Sequence, residues 1–277
     1  LANASWGLMS PVAKIVMSGG IVAPLILTDM RVFGAMVLFW VVSFFRKPER
    51  VAPRDMVKLF GASLLAIVFN QGCFIFGVGL TSPGDASIIT TSMPLWAMIL
   101  AAFFLKEPIT GKKVTGIALG ATGALLLILG SNQGTTSGNN SIWGDLLVLL
   151  AQLSYALYIV LFKNFVTRYS LITIMKWMFT YAFICILPFS YDDLIVTNWN
   201  GLDLQAIGAI CFIVVCGTFV SYMLIGMYNY IQPLVACIVS VYLGMDSFNF
   251  VKGIAIVLIF GGVYLVTVSK SRADMVV

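Results

Sequence analysis

The stretch "MYNYIQP", Met227 to Pro233, sets two tyrosines, an asparagine, a glutamine and a proline between apolar segments. Tyr228 and Gln232 are four apart and Asn229 and Gln232 three apart, so on a helix they share a face. Pro233 has no N–H to donate, which leaves the carbonyl near Asn229 without its usual helical partner. At membrane depth such a face must point into protein or water, because lipid satisfies none of these groups. The chemistry on offer is hydrogen bonding to a small solute, or the fastening of one helix to another. "IITTSMPLW" offers a similar set, with Thr90, Ser92 and Trp96 around a second kink-forming proline, Pro94. Asn70 and Gln71 add two amides in an apolar setting, and Tyr155 and Tyr158 add rings able to stack on planar or cationic groups. Trp6 and Trp177 read equally as ring surface at such a site or as packing and interfacial-belt residues.

Four cations lie nearest the apolar interior: Lys14, Arg31, Lys163 and Lys176. For Arg31 and Lys176, snorkelling to the interface competes with a functional role. Lys14 and Lys163 are the candidates for attracting a carboxylate-bearing solute. Catalysis is not expected: histidine is absent, no paired carboxylates fall inside an apolar run, and no serine or cysteine stands beside a base. No cofactor or metal is called for, since the five cysteines fall within apolar runs without ligand spacing and suggest no disulfide framework. The eleven acids sit at or near the ends of apolar runs, so no carboxylate proton relay is visible. The chain would then equilibrate or exchange its solute without protons, or Lys14 or Lys163 would itself carry one.

The elements that hold these residues follow from composition. With 60% hydrophobic and 10% charged residues and a mean hydropathy of +1.02, the 277 residues cannot bury their apolar surface in one water-soluble globule. Ten apolar runs of membrane-spanning length lie near 1–17, 23–45, 56–80, 84–104, 114–130, 142–163, 171–190, 203–225, 227–243 and 250–268. Basic residues gather in alternate loops, as Arg46, Lys47, Arg50, Arg54 and Lys58, then Lys106, Lys112 and Lys113, then Arg168, then Lys270 and Arg272. Basic loops stay on the cytoplasmic side, so both termini are expected inside, in a multi-pass protein of the cell (inner) membrane. Charges spread over short loops do not make a nucleic-acid surface.

The chain also reads as an internal repeat. "SWGLMSPVAK" aligns with "SYALYIVLFK" at an offset of 149, "SMPLWA" with "IQPLVA", and "VTGIAL" with "VKGIAI". Five spans is an odd number, so the second half must enter the membrane inverted. The expected domains are 1–141 and 142–277, and Lys14 and Lys163 would then lie toward opposite faces of one pathway. Pairing Phe74 with Tyr222 leaves 20 residues to Pro94 but only 11 to Pro233. That shortfall predicts a connection missing from the sequence between about Ile225 and Met227, and residues are also expected before Leu1.

"LTSPGDASIITTSMPLWAMILAAFFLKEP", "GDLLVLLAQLSYALYIVLFK" and "MYNYIQPLVACIVSVYLGM", together with the "WG" near the start, resemble the EamA-type branch of the drug/metabolite transporter superfamily across nearly the whole chain. The resemblance implies an all-α integral membrane protein of ten helices, two inverted five-helix repeats around a central cavity, with the fifth and tenth helices packed outside. It also implies movement of small metabolites, often amino acids and their relatives, with export as the favoured direction. The partners expected are thus a small-molecule solute and the lipid bilayer; oligomeric state is left open. A channel, a ligand-sensing receptor and a nucleoside or nucleotide-sugar carrier stand as alternatives.

Overall fold

A computed structural model describes residues 2–20, 22–106, 110–130, 142–166, 168–224, 231–245 and 250–273. Among them the chain is helical throughout, with no strand. In chain order the helices are α1 (Ala2–Ser18), α2 (Pro24–Phe44), α3 (Pro53–Leu80), α4 (Pro83–Phe104), α5 (Gly111–Gly130), α6 (Ile142–Val166), α7 (Leu171–Val196), α8 (Leu204–Met223), α9 (Ile231–Tyr242) and α10 (Phe250–Ala273). Their starts are written locally. Pro24, Pro53 and Pro83 open α2, α3 and α4, where a missing N–H costs nothing. Ser82, Ser170 and Asp203 cap α4, α7 and α8 by accepting from the backbone N–H three residues on.

Seven described helices, α2 to α8, are long and apolar enough to cross a membrane. Where ten crossings are expected from sequence, α1 has 17 residues, α9 has 12, and the apolar part of α10 is Phe250–Leu265, each short of that length as described. Large apolar side chains cover the outside, with Phe103 83% and Phe250 82% exposed, so the bundle's solvent is lipid. The protein is a multi-pass membrane protein.

Packing follows a definite pairing: α1 lies against α8 and α9, α2 against α7, α3 and α4 against α6, α4 also against α9, and α5 against α10. Phe39 and Phe179 stack at 5.6 Å in the α2–α7 seam. In the α5–α10 pair, Gly262 faces the backbone of Gly116 and Gly120, and Gly123 faces Ala255 and Ile259. Small residues thus bring two backbones together, the main route to helix association in lipid.

Three helices are irregular, and each irregular stretch holds buried residues, Ala66 and Ile67, Gly217 and Thr218, or Thr91 and Ser92. The turn widens to i→i+5 spacing over Leu64–Phe69 in α3 and over Val215–Val220 in α8. Helix α4 breaks at Thr91 and Ser92, just ahead of Pro94. Wide turns and breaks disturb the backbone ladder, and non-helical backbone at membrane depth persists only where protein or water covers it.

Candidate solute-binding site

A polar and aromatic cluster is built where α1, α2 and α3 meet the wide turn of α8. The Thr218 hydroxyl donates to the Ile213 carbonyl at 2.9 Å and accepts from Arg31 Nε at 2.7 Å. One turn later, the Tyr222 hydroxyl accepts from Gln71 Nε2 at 3.2 Å. Trp6 Nε1 donates to the Gly217 carbonyl at 3.0 Å, and its ring meets that of Tyr222 edge-on at 6.2 Å. Arg31 is 3% and Gln71 1% exposed. Among the described residues, Arg31 NH1 and Gln71 Oε1 make no hydrogen bond, although both are buried. Tyr155 and Tyr158, their rings 5.7 Å apart on α6, pack in the same apolar cluster as Tyr222.

The other residues expected at a site are distributed more widely. Asn70 Nδ2 donates to the Ala151 carbonyl at 2.8 Å, and Ser154 Oγ donates back to the Leu65 carbonyl in the wide turn at 2.7 Å. Asn70 therefore fastens α3 to α6 beside the tyrosines. Thr90 bonds its own helix at the Ser87 carbonyl. Ser92 is buried with no partner for its hydroxyl among the described residues, and Trp96 is half-buried four residues on. Tyr228 and Asn229, and the side chains of Gln232 and Pro233, lie outside the described residues, as does the junction near Ile225 to Met227.

The two lysines expected to share a pathway have unlike surroundings. Lys14 Nζ donates to the carbonyls of Val78, Gly79 and Thr81 at 3.0, 2.7 and 3.0 Å, which uses all three of its N–H groups to close the end of α3. Lys163 is exposed. Of the other two interior cations, Lys176 donates to Ser43 Oγ at 2.8 Å and sits 4.9 Å above the Trp40 ring, away from the cluster. Trp177 packs against the same Trp40 ring at 5.4 Å.

Carboxylates are buried more deeply than their places near helix ends indicate. Asp29 is 3% exposed, and Asp85 and Asp145 are fully buried. Asp85 pairs with Lys252 at 3.0 Å, and Asp145 accepts a 2.5 Å hydrogen bond from Thr81. Both lie at the end of the bundle that Lys14 closes. At the opposite end, Glu49 accepts from the Ser170 hydroxyl at 2.7 Å and Asp55 from the Tyr169 hydroxyl at 2.8 Å. Thr173 first, and then Ser170, hold the Glu49 carboxyl below its ordinary range, with Lys176 adding to the effect and burial opposing it. The Asp55 carboxylate raises the Tyr169 hydroxyl above its usual range.

Sequence reasoning overlooked Thr218 and Tyr222 as site residues. The available signal was their four-residue spacing in "TFVSY", together with the alignment of Tyr222 on Phe74. An apolar recess of about 190 Å3 between α4 and α5, lined by Met98, Ile99, Ala102, Phe103 and Ile117, presents no polar side chain to a solute.

The comparisons agree on the kind of protein this is. The model of the EamA-like transporter family matches residues 1–129 and again 142–268. An uncharacterized transporter of Archaeoglobus fulgidus is 27% identical over 86% of this chain and 80% of its own length. The uncharacterized transporter YetK of Bacillus subtilis is 24% identical over 86% and 75%. A probable amino-acid metabolite efflux pump of Escherichia coli is 27% identical over 78% and 72%. A solved crystal structure superposes with a TM-score of 0.63 at 16% identity, covering 99% of this chain and 98% of its own, a likeness of fold. With both halves matched and relatives named as transporters along most of its length, the chain belongs to the EamA-like transporter family.

Proposed function

We propose that this transporter moves amino acids or related zwitterions and organic acids by alternating access. Two inverted five-helix repeats, 1–141 and 142–277, would form ten crossings with both termini cytoplasmic in the cell membrane. The observation that carries the reading is the pairing of the helices. Exchanging α1–α5 with α6–α10 turns the α3–α6 contact into α8–α1 and the α4–α6 contact into α9–α1, while α2–α7 and α5–α10 map onto themselves. The wide turns of α3 and α8 exchange as well. Irregular helices at the meeting of inverted repeats are where secondary transporters bind their solutes.

The solute site in this reading combines the Arg31, Gln71, Thr218 and Tyr222 cluster with Asn70, Tyr155 and Tyr158, with Ser92 and Trp96 at the break of α4, and with Tyr228, Asn229 and Gln232 as the sequence suggests. Lys14 acts as a cap for α3 and not as a solute anchor, because its donors are consumed by carbonyls. The amino-acid class is supported by the named activity of the Escherichia coli relative. The test is counterflow in proteoliposomes with a panel of amino acids, nucleosides and organic acids. Exchange of amino acids is expected; exchange confined to nucleosides, or ion flux without solute exchange, would overturn the reading.

A further inference from the structure

Arg31 lies seven residues into α2, roughly 10 Å along the helix, and Gln71 lies nine residues from the end of α3, roughly 14 Å. Both are therefore well inside the bundle. A guanidinium in such a place is costly unless it is paired. Arg31 forms no ion pair among the described residues: Asp29, buried with its own Oδ1 unpaired there, is two positions away on another helix face, and the buried carboxylates of Asp85 and Asp145 are engaged by Lys252 and Thr81. Only Nε is anchored, on Thr218. Among the described residues NH1 is a donor without an acceptor, and Gln71 Oε1 is an acceptor without a donor. Each is oriented through a residue of α8: Arg31 through Thr218, and Gln71 through Tyr222 one turn later. The two anchoring residues are four positions apart on α8, about one turn.

We propose that Arg31 and Gln71 form a zwitterion clamp, with the guanidinium taking the carboxylate of an α-amino acid and the Gln71 carbonyl taking its ammonium. The inference rests on the transporter reading above and specifies the ligand at its site. Thr218 and Tyr222 are positioning residues, and Trp6, edge-on to Tyr222, supplies a wall for the side chain. The clamp rejects by omission. A ligand lacking one charge leaves a buried donor or acceptor unpaired, and hydrogen bonds to charged groups are worth about 10- to 100-fold in affinity.

The test uses the full chain, purified in detergent for binding and reconstituted for counterflow, with L-phenylalanine, its methyl ester, 2-phenylethylamine and 3-phenylpropionate as probes. On the unmodified protein, L-phenylalanine should bind, read as a rise in melting temperature and as quenching of tryptophan fluorescence, and each of the other three should bind about 10- to 100-fold more weakly. Arg31→Gln should abolish discrimination between the amino acid and its ester, and Arg31→Lys should restore it in part, since lysine keeps the charge and loses the fork. If these variants do not fold, the four-ligand series on the unmodified protein still decides. Equal affinity for acid and ester, or binding displaced by chloride as readily as by amino acid, overturns the clamp. Counterflow of amino acids without discrimination against the ester refutes the clamp alone. Selective binding without any counterflow keeps the clamp and refutes transport, and absence of L-phenylalanine binding refutes the clamp.

Discussion

Gly261 and Gly262 are neighbours on α10 with opposite surroundings, and substituting each by alanine isolates the close packing of α5 against α10. A Cβ at Gly262 would stand 2.5 Å from the Gly116 carbonyl oxygen and 2.7 Å from the Gly120 nitrogen, whereas a Cβ at Gly261 meets nothing within 4 Å. Ordinary contact begins near 3.4 Å, so Gly262→Ala forces the helices apart by roughly 0.9 Å against backbone atoms that cannot rotate away. Overpacking of this kind costs about 1–3 kcal/mol. Both variants gain about 1 kcal/mol of helix propensity, which cancels in the comparison. The pair should therefore differ by about 1–3 kcal/mol, or very roughly 2–12 °C in melting temperature, with Gly261→Ala at or above the parent and Gly262→Ala below it. The assay is size-exclusion chromatography in detergent after graded heating, with the surviving fraction tested in proteoliposomes. Solute affinity in that fraction should be unchanged, because the pair carries none of the clustered site residues. Equal melting of the two variants would refute the backbone-to-backbone contact.

Two further outcomes separate structural from solute-facing charges. Lys14→Met should destabilise the protein by about 1–3 kcal/mol by leaving carbonyls at the end of α3 unpaired, while Lys163→Met, at an exposed position, should stay within about 0.5 kcal/mol; thermal melting of the two in parallel checks this, and similar melting would return Lys14 to the list of solute anchors. The Glu49 carboxyl is held below its ordinary value, so its contribution is fully present above the unfolded carboxylate value near 4.3 and is lost as pH falls through the lower folded value. Glu49→Gln should flatten that part of the acid side of a stability-versus-pH profile, and an unchanged slope there would show that the Ser170 contact contributes nothing.

Much of the architecture was legible because lipid imposes it. Apolar runs located Pro24–Phe44 to within one residue at each end and the start of Leu171–Val196, whose run ended six residues early at 190. The family resemblance implied only that the fifth and tenth helices pack outside; the structure pairs them with each other through the glycines at 116, 120, 123 and 262. The wide turns were not legible. Leu64–Phe69 contains no proline or glycine, and a hydroxyl on another helix, Ser154, donates to its Leu65 carbonyl. The Asp85–Lys252 pair joins α4 to α10, and each residue by itself reads as an ordinary charge beside a span end.

The four interior cations show most sharply what a linear repeat conceals. Sequence alignment sets Lys14 against Lys163 and Arg31 against Lys176, which suggests paired roles. Burial and partners come from helices the alignment does not include, and they break each pair. Lys14 is consumed by carbonyls of α3 and Lys163 is exposed; Lys176 rests on Trp40 and Ser43, whereas Arg31 meets Thr218 with NH1 left over. Alternating access asks for two halves that can exchange conformations, and the helix pairing is symmetric enough for that. Recognition asks for the opposite. A solute with one carboxylate has no two-fold axis, so two equivalent cations could not both serve it in one pose, and the second would remain a buried charge without a partner. In the proposed clamp, a guanidinium whose NH1 is unpaired among the described residues meets the second demand, so the proposal rests on the asymmetry at Arg31 and not on the symmetry of the lysines.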